Sequence, residues 1–279
     1  MLLAVALFIV LFSGPAAADN VILMLADGMG FNHIACAEKE KDLFISALPI
    51  RGEIKTHSAN RKITDSAAAA TAYACGIKTK NGYVGMDSDK TACESIAEQA
   101  VKKGFFTALL TTDLDDSPTP AAFYAHVTSR YRRKDILAQR QKAAGKMIIQ
   151  TDVADLPKAA ADMIVRAEVS EKPYFVLIEE ENVDISSHSN DLAGMKKAMH
   201  SFDAAVKAAV ELSSPDTTVI VLADHETGGL SGWCRFKSTD HTGGKVPLFA
   251  AGKHARLFSG ELDNTQINYK IGRILFTPS

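Results

Sequence analysis

Val21-Ile22-Leu23-Met24-Leu25-Ala26 runs without a polar residue straight into Asp27-Gly28-Met29-Gly30. Two later runs have the same form: YFVLI at 174–178 stops on Glu179, and VIVLA at 219–223 stops on Asp224-His225. Short, continuous, branched apolar runs bounded by polar or glycine-containing sequence are the pattern of parallel strands buried on both faces. In a doubly wound sheet the carboxyl ends of such strands open onto one crevice, where ligands sit. Three strands therefore bring carboxylates, and one of them a histidine, to one edge. Uncompensated buried carboxylates protonate or push strands apart, so the arrangement calls for counter-charge, and divalent metal ions supply it.

Outward from these runs, strand and helix patterns alternate as in an α/β fold, here read as a three-layer sandwich with a mostly parallel sheet and helices on both faces. The patterns predict helices from about Phe31, over Ser66–Cys75, Thr91–Lys103, Val153–Val169, Leu192–Leu212 and Asn264–Ile274, and one carrying AAFYAHVTSR after Pro118 and Pro120. A further strand is read in FFTALLTT, and VPLFAAG is read as the last strand. The polar stretch between Tyr131 and Thr151 shows no clear pattern. Without repeats or linkers, residues 19–279 read as one domain.

At 47% hydrophobic residues the chain can bury a sizeable core, and its net charge of −2 excludes an electrostatic nucleic-acid surface. Residues 1–18 read as a signal peptide: Leu2–Phe12 is apolar, and Ala16-Ala17-Ala18 supplies the small residues that favour cleavage before Asp19. The apolar stretch falls short of the ~20 residues that span a bilayer, so a stable membrane anchor is not expected. Cys36, Cys75, Cys93 and Cys234 suit two disulfides in an exported protein, although free thiols and three pairings remain open.

Thr64-Asp65-Ser66-Ala67-Ala68 places one hydroxyl at a helix start, where unpaired N–H groups and the dipole favour an anion; a plain N-cap at Asp65 or Ser66 explains the pattern equally well. The run Glu179-Glu180-Glu181 after a buried strand is harder to explain structurally. Asp184 and His188, four residues apart, share a face if this turn is helical and form half of a zinc site. Asp224-His225 adds the same pair of ligand types, and His241, in DHTGG, adds a third imidazole.

VILMLADGMG, TDSAAAATAYACGIKTKNGYVG, the Ser/Thr-Pro stretch before AHVTSR, the E-x4-D-x3-H segment at Glu179, ADHETGG and HTGG occur together in this order. In this combination the chain resembles the alkaline phosphatases, as a compact, crown-less, bacterial-type member. The resemblance implies an alkaline phosphatase-like sandwich and a phosphoric monoester hydrolase of broad range acting through a phosphoserine on Ser66. It implies two Zn2+, one on Asp184, His188 and His241 and one on Asp27, Asp224 and His225. It also implies one Mg2+ on Asp27, Thr119 and Glu179, and a phosphate-gripping Arg130. Small-molecule phosphate monoesters are the implied partners, in the periplasm or secreted.

Several positions depart from the family pattern. Ser117 stands where Asp or His is usual beside the magnesium site, with Asp116 as a substitute if the turn is reshaped. Glu180 stands where glycine is common, and Ile185 where polar or basic residues are. The segment between Arg130 and Glu179 is short, as is the loop between His225 and His241, which leaves both a homodimer and a monomer open. Lys245 and Trp233, near His241 in sequence, are candidates to line the pocket. His33, His57, His126, His200 and His254 match no metal position and read as ordinary surface or core residues.

Two other readings stand beside this one. One is an exported zinc- or phosphate-binding protein without turnover. The other is a phosphodiesterase or sulfatase-like relative, which Ser66 and the missing Cys/Ser-x-Pro-x-Arg motif disfavour.

Overall fold

The three acid-terminated runs lie side by side at the centre of an eight-stranded sheet. A computed structural model describes residues 19–277, so the signal-peptide reading falls outside the described residues. In chain order the elements begin with β1 (Asn20–Ala26), α1 (Phe31–Ala37), β2 (Ile50–Lys55), α2 (Ser66–Cys75), α3 (Ile96–Lys102) and β3 (Phe106–Thr111). They continue with α4 (Pro118–Ala121), α5 (Arg133–Ala143), β4 (Ile148–Gln150), α6 (Leu156–Val169), β5 (Tyr174–Glu180) and α7 (Asn182–His188). The rest are α8 (Leu192–Leu212), β6 (Thr217–Leu222), β7 (Glu226–Thr227), β8 (His241–Thr242), β9 (Val246–Gly252), β10 (Gly260–Asp263) and α9 (Asn264–Phe276).

The sheet order is β10-β2-β9-β6-β1-β5-β3-β4, with β7 and β8 as a separate pair. Among the described residues, only β9 runs antiparallel to its sheet neighbours, β2 and β6. Leu25 pairs with both Glu179 and Leu222, so β1, β5 and β6 end level and their acids emerge together. Helices α1, α6, α7 and α8 pack on one face, and α2, α3, α4 and α9 on the other. Helix α8 explains its own placement: Met195, Ala198, Met199, Phe202, Ala205, Val206 and Ala209 are buried at three- and four-residue spacing, the stripe of a helix lying on a sheet. Buried Asp203 on the same helix accepts from the backbone N–H of Phe44 and Ile45 (3.0 and 2.8 Å) and so satisfies the loop crossing it.

Several local expectations are corrected. VPLFAAG is not the last strand, since β10 follows it and pairs with β2, a strand the apolar pattern did not reveal. The helix expected to carry AAFYAHVTSR stops at Ala121: Val127 pairs with Val84 instead, and His126 is held by Gln139 and the Gly85 carbonyl. Helix α3 starts at Ile96 rather than Thr91, because Ser95 and Glu98 form a reciprocal capping box. Helix α6 starts at Leu156 rather than Val153, since the Val153 N–H donates to the Thr111 carbonyl and Asp155 caps the helix. The polar stretch after Tyr131 folds into α5 and the edge strand β4, which pairs with β3.

The cysteines form two bridges, Cys36–Cys234 and Cys75–Cys93, which closes the choice that spacing left open. They span 198 and 18 residues. Loop-closure entropy makes the longer bridge worth about 5 kcal/mol and the shorter about 3. Paired serine substitutions at Cys36 and Cys234 should therefore lower unfolding stability more than those at Cys75 and Cys93, as read by urea titration under oxidising conditions. Equal or reversed costs would show that the bridges do not act by restricting the unfolded chain.

Candidate active site

Helix α2 delivers the hydroxyl. Its first residue is Ser66, preceded by the N-cap Asp65, whose carboxylate accepts from Ala68 N–H (3.0 Å) and Gly82 N–H (2.8 Å). The next residues are alanines buried against the sheet, so the helix seats closely, and Gly76 ends it in the left-handed conformation. Ser66 is buried with its Oγ 3.2 Å from His225 Nε2. Arg130, reached after the turn that follows α4, puts Nη1 3.6 Å from Asp65 Oδ2.

Around Ser66 the strand ends assemble three overlapping sets of ligand atoms, each within 4.8 Å of one another: Asp184, His225 and His241; Asp27, Asp224 and His225; and Asp27, Glu179 and Glu181. Helix α7 brings His188 Nε2 to 3.1 Å from Asp184 Oδ2 and 3.1 Å from His241 Nε2. The rings of His225 and His241 stack 3.5 Å apart. Each imidazole is oriented through its other nitrogen: His241 Nδ1 lies 3.1 Å from the Thr64 carbonyl, His188 Nδ1 meets the Thr239 carbonyl, and His225 Nδ1 lies 3.3 Å from Thr227 Oγ1. All three therefore turn Nε2 toward the same centre, the orientation a metal-binding imidazole needs.

The polar atoms left over fit metal ions better than any protein partner. Both oxygens of Asp27, Asp224 Oδ2, Glu179 Oε1 and the Thr119 hydroxyl are buried without a hydrogen-bond partner. The Thr119 hydroxyl faces Glu179 but forms no bond to it. Native structures rarely leave buried carboxylate oxygens unpaired, because desolvation is costly. Mixed imidazole and carboxylate donors suit zinc in the first two sets, and oxygen alone suits a hard cation in the third.

Electrostatics agree. Burial, then repulsion from Asp224 and other acids, lifts Asp27 well above the usual carboxylate range. Burial likewise pushes Asp224 up to about 7 and Glu179 up to about 8, and lifts Glu181 strongly. Burial also holds His225 neutral, with His241 adding to the effect. At Asp184 burial is outweighed by the hydrogen bond from His188 and its carboxyl stays low, while His188 is pushed up to about 9 by that bond.

Asp27, Thr119, Glu179, Asp184, His188, Asp224, His225, His241, Ser66 and Arg130 are thus all drawn to the level ends of β1, β5 and β6 or to the helix facing them. Other candidates are not. Lys245 pairs with Glu53 and Glu261 at the sheet edge, and Asp116 pairs with Arg133 (2.9 Å), which takes it out of the third set. Trp233 is 86% exposed, and Ser117 is buried with its hydroxyl unpartnered at the N-cap of α4. Among the unmatched histidines, His33 is buried neutral against Ser187 and Phe236, pushed down to about 4 by burial.

Sequence reasoning missed three contributors. Thr111 donates to Glu179 Oε2 (2.5 Å), and Thr227 Oγ1 contacts Asp184 and His225. Glu181 joins Asp27 and Glu179; it lies past the end of β5 in helical backbone at the start of α7, so the alternation of the strand did not signal it.

The alkaline phosphatase family model matches residues 18–165 and 150–234, and the chain belongs to that family. Alkaline phosphatase 4 of Bacillus subtilis (strain 168) is 30% identical over 76% of this chain, which spans 62% of that relative's length. Alkaline phosphatase of Escherichia coli (strain K12) is 39% identical over 40% of this chain and 26% of its own. Among solved structures, alkaline phosphatase from the Antarctic bacterium TAB5 superposes with a TM-score of 0.84 at 26% identity, over 94% of this chain and 99% of that one. A variant of that enzyme carries Mg in its M3 site.

Without metal, the raised carboxyls bind more protons folded than unfolded. Their contribution is fully present below the ordinary carboxylate pKa and is lost as pH rises through about 7 to about 8. His225 and His33, both depressed by burial, work oppositely, but the raised carboxyls of Asp27, Glu179, Glu181 and Asp224 outnumber them. Chelator-stripped protein should therefore show a Tm that falls between about pH 5 and about pH 8, and divalent cations should flatten that slope. A stripped protein whose Tm climbs across this range would contradict the clustering of acids.

Proposed function

We propose that this chain hydrolyses phosphate monoesters, with Ser66 as nucleophile, Arg130 as phosphate ligand, and two zinc ions and one magnesium ion as cofactors. The observation that carries the reading is the buried Ser66 hydroxyl at the start of α2, 3.2 Å from a histidine that two ligand sets share. Asp184, His188 and His241 would hold one zinc, Asp27, Asp224 and His225 the other, and Asp27, Thr119 and Glu179 the magnesium. When bound, such ions supply Lewis acidity, lowering the pKa of the serine hydroxyl and neutralising charge on the entering and leaving oxygens.

The chain's own residues then have distinct tasks. The N-terminus of α2 presents backbone N–H groups and a positive dipole end to the phosphoryl oxygens. Arg130 spans two of those oxygens with parallel N–H donors, held in place by Asp65. Ser66 gives up its hydroxyl proton to solvent hydroxide, its Oγ bonds to phosphorus as the phosphorus–alkoxy bond breaks, and the leaving alkoxide takes a proton from water. A water molecule then attacks the phosphoserine from the opposite side, releasing phosphate and restoring the hydroxyl. These residues contact the phosphoryl group and not the alcohol, which supports a broad substrate range.

An exported location, periplasmic or secreted, accords with the two disulfides. Among the described residues, no helix is long and apolar enough to cross a membrane.

Hydrolysis of p-nitrophenyl phosphate at alkaline pH with zinc and magnesium tests the reading. Ser66→Ala should lower kcat by at least about a thousandfold, and chelator should abolish turnover in the parent protein. Activity surviving in Ser66→Ala would mean direct attack by water; zinc binding with no turnover would favour a binding protein or a diester or sulfate substrate. Arg130→Ala should weaken inhibition by inorganic phosphate by about tenfold or more. Unchanged inhibition would remove Arg130 from the site.

A further inference from the structure

Glu179, Glu180 and Glu181 take three different surroundings, although they follow one another. Glu180 turns away from the cluster: it accepts from Thr112 Oγ1 (2.9 Å), Asn182 N–H (3.0 Å) and the Asn182 amide (2.7 Å). The same Thr112 oxygen accepts from the Glu181 backbone N–H (2.9 Å), so one hydroxyl fixes the turn and leaves the Glu181 side chain on the Glu179 side. Glu179 and Glu181 then meet Asp27, with one oxygen from each within 4.8 Å of the others. No protein donor hydrogen-bonds to the Glu181 carboxylate among the described residues, and Asp27 and Glu179 still have buried oxygens without partners. The Thr119 hydroxyl, fully buried, is also unpartnered.

We propose that Glu181 is a direct ligand of the third cation, so that this site is held by three carboxylates, Asp27, Glu179 and Glu181, with Thr119 beside them. The proposal rests on the reading of this cluster as a metal site and adds Glu181 to Asp27, Thr119 and Glu179 as a direct ligand. Three acids with no basic side chain among them repel one another until a cation arrives, and their oxygens favour a hard divalent ion such as Mg2+ or Mn2+ over a soft one. Glu181 is half-buried, so it closes the solvent side of a site whose other ligands are buried. In the parent protein the third ion should bind more tightly than two carboxylates and a hydroxyl can achieve.

The test is calorimetric titration of Mg2+ into full-length protein stripped of metal and then saturated with zinc, comparing the parent with Glu181→Gln and Glu180→Gln. Glu181→Gln should weaken Mg2+ binding at least tenfold and leave zinc stoichiometry unchanged by elemental analysis, whereas Glu180→Gln should bind Mg2+ as the parent does. Thermal melting supplies a second readout. At alkaline pH, where the clustered acids carry charge, metal-free Glu181→Gln should melt higher than the metal-free parent because a repelling charge is gone, and its Tm should rise less on adding Mg2+. Equal Mg2+ affinity in Glu181→Gln, or a lower metal-free Tm with an undiminished Mg2+ shift, would overturn the proposal and leave Glu181 a structural residue. None of these readouts involves turnover, so loss of the phosphatase reading through Ser66→Ala and loss of this inference are scored separately.

Discussion

Mutual repulsion among carboxylates at the level ends of β1, β5 and β6 is the constraint on which the rest of the molecule depends. Strand pairing brings Asp27, Glu179 and Asp224 together whether or not their charges are balanced, since Leu25 is in register with both neighbours. The apolar interior of the sheet drives that pairing and leaves the acids no route to solvent. Everything opposite them is arranged to receive or relieve charge: three imidazoles turned by carbonyls and a hydroxyl, a helix N-terminus, and an arginine held by the helix's own cap.

This division of labour explains which features could be read from the sequence. Central strands are legible because they are buried on both faces and so are continuously apolar. Helix α8 was legible because its buried stripe keeps a helical period. Strands β2 and β4 were not, since edge and near-edge strands such as IRGEIK need only one apolar face and carry charges on the other. The expected helix through AAFYAHVTSR failed for a tertiary reason: the Val84–Val127 pairing competes for backbone that local propensity alone would have made helical.

The clustering of the candidate residues was legible as well. Acids and histidines immediately after apolar runs announce themselves, and Ser66 is fixed at a helix start by Asp65 and the alanines behind it. Less visible were the residues that act by orientation. Thr111, Thr112 and Thr227 carry no charge and sit in ordinary strand or turn sequence, yet each positions a carboxylate or an imidazole. Proximity along the chain misled in the other direction, for Lys245 lies four residues from His241 and is drawn to two glutamates at the sheet edge.

The bridge between Cys36 and Cys234 joins α1, which follows Asp27, to the loop that leads into His241. The two ends of the ligand constellation come from opposite ends of the chain, and beside the bridge, hydrogen bonds from Asn32 to the Leu230 carbonyl (2.6 Å) and from Lys39 to the Gly232 carbonyl (3.0 Å) tie that loop to α1 and the turn after it. With the bridge, His241 remains at a high effective concentration relative to the strand ends even when the loop opens locally. Candidate ligand atoms so tethered belong to the scaffold itself, because a covalent link and not folding alone keeps the two ends of the constellation together.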